Sequence, residues 1–591
     1  MNRSRQNYLS VNTRCWPASW LVLVMAMIVI LHAAPARAAE VSLPTILGTA
    51  DQDRYRQIFV LQQTGRWNAA SKLIRQLDDP LLMGHVTYQR LMHPTAWRSS
   101  YRELHEWMRD YADHPLADKV YRLAERRRPA SGWKALQPPS PRPLRLTGEV
   151  AAAGQFDTVR QHAPNLSRHD RLMLRKIRRL VYRNAPTRAL KTMEMRDGRR
   201  MGSDARALAH ALIARGYLTA EYVGKAINAA NLAMQGTGPG KMRGAFLAGI
   251  GYWAEGHKEE AHEAFGLALG KDGDPLTGLE SAAGVWRARS ALATGDFLNV
   301  LPALRRASAS PRDMYGQIAN RLLARQPGFD WKPPSLSKEQ LKAMLAFSGV
   351  RRALALAEVG QIVRADMELR LMADRANRAG LDAVLRLAAH IDAPATALRF
   401  ARRRLNSHGE RHDPALYPAP AWPLSPEVHV DRALVYAIAR RESGFDPLAR
   451  SSAGARGVMQ LMPTTARYVA RIAGQPRPTN SALHDPHLNI RLGQAYIRYV
   501  LKAVKPQDNL LLAIAAYNAG PGNAARWSAN TSVQQDPLLF LEMMGSAETR
   551  TFARDVLSAL WIYRDRLGQP APSLDAMAAG RWPLYQSLDD G

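Results

Sequence analysis

The sequence predicts an all-α protein in which an N-terminal helical superhelix, or solenoid, leads through a helical linker to a C-terminal helical domain. From about residue 51 to 407 apolar residues recur at helix spacing, and segments of alternating β-branched residues are almost absent. Glycine-centred breakers join these stretches in pairs, and three proline clusters divide the chain. With 591 residues and 46% hydrophobic content, the chain holds several cores and is too apolar for wholesale disorder.

The first 38 residues read as an export signal. Arg3, Arg5 and Arg14 precede an apolar run from Trp20 to Leu31, and Ala36-Arg37-Ala38 offers the small-x-small pattern that a signal peptidase cuts. The run falls short of the roughly 20 apolar residues a bilayer span requires. The expectation is therefore a cleaved peptide, a mature chain outside the cytoplasm and no integral membrane segment after cleavage. Cys15 is the one cysteine and lies before the apolar run. Disulfide scaffolds and cysteine-based metal centres are thereby excluded, since each requires at least two thiolates.

Beyond the signal, 39–336 reads as the array. Segments 54–63 and 67–77 flank Gly65, 241–255 and 259–269 flank Gly256, and 281–293 and 297–306 flank Gly295. Helical hairpins of this kind cannot close an apolar face alone and must stack, which gives an extended curved surface. The segment carrying Tyr252, Gly256, Ala261 and Phe265 is similar to a tetratricopeptide unit, but the period is irregular. Prolines cluster at 137–143 and 326–334; a helix restarts at Ser337, and 337–410 reads as the linker. A third cluster at 408–426 opens the C-terminal domain, 411–591.

The formal net charge is +30, and little of it lies in the C-terminal domain. A basic surface favours polyanions. In an exported protein these are wall polymers and lipid headgroups rather than nucleic acid. The runs Arg126-Arg127-Arg128, Arg175-Lys176-Ile177-Arg178-Arg179 and Arg402-Arg403-Arg404 read equally as solvated helix faces.

The chemistry lies in the C-terminal domain. An amphipathic helix over 430–441 turns Leu434, Val435 and Ile438 inward, and Glu442 falls on the same stripe at its end. A carboxylate so placed is either a general acid, its pKa raised by desolvation, or an ordinary surface glutamate at a frayed helix end. A glycine-bearing loop, Ser451 to Gln460, follows. Asp485 and Pro486 suit N-cap and first helical position of a helix running to about 504. A nearly continuous apolar helix over 509–519 ends in Tyr517-Asn518-Ala519-Gly520.

Glu442-Ser443, Gly457-Val458-Met459-Gln460 and Ala516-Tyr517-Asn518-Ala519-Gly520-Pro521-Gly522, in this order, resemble the soluble lytic murein transglycosylases over about 415–570. The resemblance implies a lysozyme-like C-terminal fold, a doughnut-shaped array and peptidoglycan glycan strands as substrate, with other cell-wall enzymes as partners, in the periplasm. It also implies that Glu442 alone acts as acid and then base on the β-1,4 bond between N-acetylmuramic acid and N-acetylglucosamine, leaving 1,6-anhydromuramoyl ends. Ser451, Met459, Gln460, Tyr517 and Asn518 fall on groove positions, with Tyr517 orienting Glu442. Glu542 matches a second groove glutamate, and Glu548-Thr549-Arg550 a further family triplet. Neither metal nor cofactor is called for.

Two places depart from the family pattern: Met543-Met544-Gly545-Ser546-Ala547 replaces an Ile-Pro-Phe stretch, and Phe552 stands where tyrosine is usual. Both bear on the groove wall. Asp446, the nearest sequence candidate for a second acid, reads as a turn residue before Pro447. His484-x-x-His487 lacks a third ligand at metal spacing, and Trp527 and Trp561 read as core residues more readily than as sugar platforms. The alternatives are a noncatalytic wall-binding scaffold and a hydrolytic lysozyme-like muramidase.

Overall fold

A computed structural model describes residues 43–141, 144–145, 166–270, 279–332, 336–374, 376–408, 411–425, 428–529 and 535–589. The signal reading of 1–38 lies outside them. Among the described residues the chain is helices and turns, with isolated bridges in place of strands. None of these helices is long and apolar enough to cross a membrane.

The helical hairpins form where the glycines allow. Helices Thr49–Gln63 and Trp67–Ile74 turn at Gly65, Gly238–Glu255 and Lys258–Leu269 at Gly256, and Glu280–Thr294 and Val300–Ser308 at Gly295. Gly256 and Gly295 have φ of 88° and 78°, the left-handed region in which a Cβ is costly. Small residues let the array pack closely: a Cβ at Gly249 would lie 2.6 Å from the Phe265 ring. The basic run on helix Arg168–Tyr182 buries Ile177 completely and leaves its arginines in solvent, as a solvated helix face does.

The array closes back on the linker. Glu358 accepts the amides of Ile46 and Leu47 at 2.6 and 3.0 Å, and Leu144 N donates to Met372 O at 3.0 Å. Deeper in this seam, buried His114 Nε2 meets His85 Nδ1 at 3.0 Å, and His85 Nε2 meets Glu368 at 2.8 Å. Arg352 holds the same carboxylate at 2.7 Å. This clasp joins residues far apart in sequence, and no local pattern announces it. A helix restarts at Ser337, which forms a capping box with Gln340 on helix Lys338–Leu345.

The C-terminal unit is built around helix Leu510–Ala519, buried from Leu510 to Tyr517 and packed against helices Pro486–Ala503 and Ala547–Arg566, the second of which also carries helix Arg432–Glu442. Asp431, Asp485 and Asn509 cap three of these helices through their side chains. Trp561 lies in this core and donates to Ser573 Oγ at 3.0 Å. The apolar core is continuous from Leu47 through array and linker into this unit; a smaller cluster surrounds Trp107.

Candidate active site

Helix Arg432–Glu442 buries Ala433 through Ala439 and delivers Glu442 as its last residue. The carboxylate is half-buried and makes no hydrogen bond or ion pair among the described residues. Burial pushes its pKa up to about 7; Arg441 opposes this and Glu548 adds to it. The frayed surface alternative is thus not the environment this residue has.

The loop beyond is fixed by its neighbours. Ser443 Oγ donates to Val458 O at 2.7 Å, tying the helix end to the Gly457–Gln460 turn. Gly457 has φ +78°, and a Cβ there would fall 2.2 Å from Leu483 O and 2.4 Å from the Asn489 side chain. Only glycine fits. Asn489, fully buried on helix Pro486–Ala503, accepts from Met459 N at 2.8 Å and donates to the carbonyls of Arg456 and Leu483 at 3.1 and 2.9 Å. Phe445 and Gln460, on either side of this turn, hold φ of 68° and 47°, conformations that cost non-glycine residues about 1–3 kcal/mol each. Such strain persists where the surroundings over-determine the backbone.

The expected groove residues divide into two groups. Ser451, Gln460, Tyr517 and Asn518 lie at this end of the domain with their polar atoms engaged. Ser451 Oγ accepts from Ala455 N at 3.0 Å, and Gln460 Nε2 donates to Gly457 O at 2.8 Å. Asn518 Oδ1 accepts from Thr549 Oγ1 at 2.7 Å. The Tyr517 hydroxyl donates to Met459 O at 2.8 Å and so braces the loop rather than bonding Glu442. Burial raises its pKa well above the usual phenol value, with the Glu442 charge contributing, so the two groups sense one another.

Met459 and Glu542 form the second group. The Met459 side chain is fully buried, pressed on Gly493, and offers a ligand no side-chain surface. Glu542 is also fully buried and is not part of this cleft. It is held by Tyr315 Oη at 2.6 Å, by Arg215 at 3.3 Å and by Arg554. Burial alone would raise its pKa, but Arg554, Arg215 and Arg550, helped by Tyr315, bring it down to about 2. The sequence reading of Glu542 as a groove glutamate therefore meets a sealed ion-pair network between array and C-terminal unit. The carboxylate whose charge reaches Glu442 is exposed Glu548.

Remaining candidates fall into place on similar grounds. Asp446 Oδ1 accepts from Leu448 N at 2.9 Å as a turn residue, while Oδ2 pairs with Arg370 of the linker at 2.8 Å. His484 meets Pro447 O at 2.9 Å and Arg456 at 3.3 Å, whereas His487 lines a separate pocket. The departures from the family pattern have partners. Gly545 leaves room for Trp527, whose Nε1 would lie 2.4 Å from a Cβ there, and Phe552 stacks on Tyr517 at 6.2 Å and 4°. Sequence reasoning missed Asn489; its signal was only an asparagine four residues beyond the Asp485 cap.

Comparison with known proteins places this geometry. Residues 425–540 match the family model of the transglycosylase SLT domain. The chain is 34% identical over 153 residues to the soluble lytic murein transglycosylase of Escherichia coli K12, covering 26% of this chain and 23% of that protein. It is 36% identical over 141 residues to the Salmonella typhimurium protein of the same name, covering 24% and 22%. These alignments span under a quarter of either relative. In fold, the chain is similar to lytic transglycosylase Slt of Pseudomonas aeruginosa, solved as an inactive mutant, with TM-score 0.54 and 20% identity over 92% of this chain and 90% of that one. It is also similar to the 70 kDa soluble lytic transglycosylase of E. coli, with TM-score 0.53 and 16% identity over 90% and 99%. The fold is therefore that of a helical superhelix carrying a lysozyme-like unit, and residues 425–540 within that unit are similar to the transglycosylase SLT domain.

Proposed function

We propose that the protein is an exported, periplasmic peptidoglycan lytic transglycosylase that cleaves the β-1,4 bond between N-acetylmuramic acid and N-acetylglucosamine. The observation that carries this reading is Glu442: a half-buried carboxyl with a pKa near 7 at the end of a buried helix, beside a loop pinned in strained geometry. Near neutral pH a substantial fraction of such a group keeps its proton, as a general acid requires. Glu442 donates that proton to the glycosidic oxygen as the C–O bond breaks. The resulting carboxylate takes the proton of the muramoyl 6-hydroxyl, whose oxygen closes on the anomeric carbon. The product is a 1,6-anhydro ring, and Glu442 ends the cycle protonated.

Most glycosidases use a second carboxylate as nucleophile or as base for water. Asp446 is committed to Arg370, and Glu542 to its buried cations. Glu548 is exposed and acts on Glu442 through its charge. This distribution favours the intramolecular hydroxyl as nucleophile over an activated water. Tyr517 serves by holding Met459 O and the loop; Ser451, Gln460 and Asn518 shape the cleft. Array and linker, 39–336 and 337–410, frame the catalytic unit, 411–591, with a basic surface suited to wall polymers. The test is mass analysis of muropeptides released from sacculi by the wild type and by Glu442→Gln. Anhydro ends made by the wild type alone support the lyase; hydrated reducing ends identify a muramidase; equal release by the variant removes Glu442 from the chemistry.

A further inference from the structure

Glu442 has no partner to aim it. Its carboxyl makes no hydrogen bond or ion pair among the described residues, so its direction is set by the end of helix Arg432–Glu442 and by the residues that follow. Those residues take an unusual path: Gly444 and Phe445 are both left-handed, with φ of 61° and 68°, and only the first is a glycine. The Phe445 ring is buried, with the rings of Trp422 and Tyr436 at 5.7 and 6.4 Å. At the next residue, Arg370 Nη1 of helix Ile362–Ala373 donates to Asp446 Oδ2 at 2.8 Å. A backbone conformation that costs about 1–3 kcal/mol persists only where such contacts over-determine it.

Arg370 is itself fixed. Its other terminal nitrogen donates to Asp366, one turn earlier on the same helix, and Asp366 accepts Thr396 N at 2.9 Å at the start of helix Pro394–His408. The guanidinium thus stands between two carboxylates, an arrangement that its planar fork suits. Residues 366 and 370 share one face of their helix, and Glu368, two positions from each, lies on the opposite face. There Glu368 meets His85 at 2.8 Å and Arg352 at 2.7 Å, and Met372 O accepts Leu144 N at 3.0 Å. Helix Ile362–Ala373 is therefore held to the array on one side and to the loop after Glu442 on the other.

We propose that Arg370 is a positioning residue for Glu442: through Asp446 it fixes the path of residues 443–447, and with it the direction in which the carboxyl meets the glycosidic oxygen. The inference rests on the reading of Glu442 as the catalytic acid. Arg370 touches no reacting group; among the described residues its hydrogen bonds go to the two aspartates. A misplacement of about 1 Å costs on the order of 100-fold in rate, so slack in the loop is expected to cost about tenfold. The charges that move the Glu442 pKa are those of Arg441 and Glu548, not those of Arg370 or Asp446. A shifted pH limb in variants of this pair therefore reports a change in the burial of Glu442 rather than the loss of a nearby charge.

The experiment measures kcat, KM and the pH profile of kcat/KM on solubilised peptidoglycan strands, with thermal melts, for full-length Arg370→Gln, Arg370→Lys, Asp446→Asn and the double variant Arg370→Gln with Asp446→Asn. Arg370→Gln is expected to lower kcat about tenfold with KM within about twofold, and to move the alkaline limb toward lower pH as water reaches the loosened carboxyl. Asp446→Asn keeps the acceptor for Leu448 N and should do the same. The double variant should lose no more than either single one, because the pair acts as a unit. Arg370→Lys restores one charged donor and should fall between Arg370→Gln and the wild type. A melt that falls while kcat and the limb stay in place makes Arg370 a structural residue only and overturns the proposal. So does a raised KM at unchanged kcat, or losses that add in the double variant. Should Arg370→Gln not fold, Asp446→Asn carries the same test. Glu442→Gln, run alongside, separates the two readings: if it cleaves like the wild type, the catalytic reading fails and this one with it. An inert Glu442→Gln beside an unaltered Arg370→Gln overturns the positioning role alone.

Discussion

The side-chain oxygen of Asn489 accepts the amide hydrogen of Met459 at 2.8 Å, so a residue buried on helix Pro486–Ala503 fixes the loop that faces Glu442. Its amide nitrogen holds two more backbone groups, the carbonyls of Arg456 and Leu483. Asn489→Ala strands the Met459 amide and the Leu483 carbonyl, while the Arg456 carbonyl keeps its hydrogen bond from Leu461 N. Each buried polar group left without a partner costs about 1–3 kcal/mol, so a loss of several kcal/mol is expected. Thermal melts should show it, together with slower muropeptide release. Asn489→Asp keeps the acceptor for Met459 but turns a buried carboxylate oxygen on the carbonyls of Arg456 and Leu483, so it is expected to lose at least as much as Asn489→Ala.

Much of the fold was legible because its signals are local. Helix periodicity, the glycine turns at 65, 256 and 295, the cap at Asp485 and the restart at Ser337 are written within a few residues of where they act. Glu442 was legible because it breaks the apolar stripe of its own helix. Glu542 was not, because its partners Arg215 and Tyr315 stand more than 200 positions earlier, on helices Ser203–Thr219 and Met314–Leu322. A motif position says that a carboxylate is present; only tertiary packing says whether it faces a cleft or a sealed cluster of guanidiniums. The His85, His114 and Glu368 clasp was hidden for the same reason.

Gly457→Ala tests the loop from the other side. The backbone φ of +78° disfavours any Cβ, and the one added would meet a carbonyl oxygen at 2.2 Å, well inside contact distance. Neither the carbonyl nor Asn489 can retreat without losing hydrogen bonds. The expected outcome is a fall in melting temperature at least as large as that of Asn489→Ala, with activity lost. Gly474→Ala is the control for φ alone: its φ is +63° with nothing within 4 Å, so its effect should be smaller and activity retained.

The raised pKa of Glu442 sets a pH dependence with a definite sign. The proposed first step consumes the protonated form, so kcat/KM should fall as pH rises through about 7. Stability follows the same group. Below its ordinary value of 4.5 both folded and unfolded chains hold the proton and there is no penalty. From 4.5 to about 7 the unfolded chain ionises first and stability falls; above that the penalty is constant. Glu442→Gln removes it, so the variant should melt higher than the wild type at pH 8 and equally at pH 4, while losing at least about 100-fold in rate.

Two neighbours should move that limb in opposite directions. Glu548 raises the Glu442 pKa and Arg441 lowers it. Glu548→Gln should therefore shift the fall in kcat/KM toward lower pH, and Arg441→Gln toward higher pH. Arg441 is also paired with Asp555 at 2.8 Å, which makes Arg441→Gln the more disruptive of the two. The pH profile separates these effects from simple loss of folding, since a destabilised enzyme loses amplitude without moving its limb.

Glu542 makes the opposite case. Its carboxyl is held down to about 2 by Arg554, Arg215 and Arg550, which outweigh its burial. Its stabilising contribution is therefore present above the ordinary value of 4.5 and is lost as pH falls from there toward 2. Glu542→Gln leaves guanidiniums buried without their counter-charge, a change that costs about 3–5 kcal/mol in buried pairs. Arg215 and Tyr315 come from the array while Arg550 and Arg554 come from helix Ala547–Arg566, so the loss falls on the seam between the two units. Calorimetry at neutral pH should show a lower melting temperature, and limited proteolysis should cut the variant between array and C-terminal unit sooner than the wild type. A groove residue would behave differently: Glu542→Gln would raise KM for glycan and leave the melt unchanged. The two outcomes cannot be confused, because a side chain with no solvent-exposed surface reaches substrate only after the seam has opened.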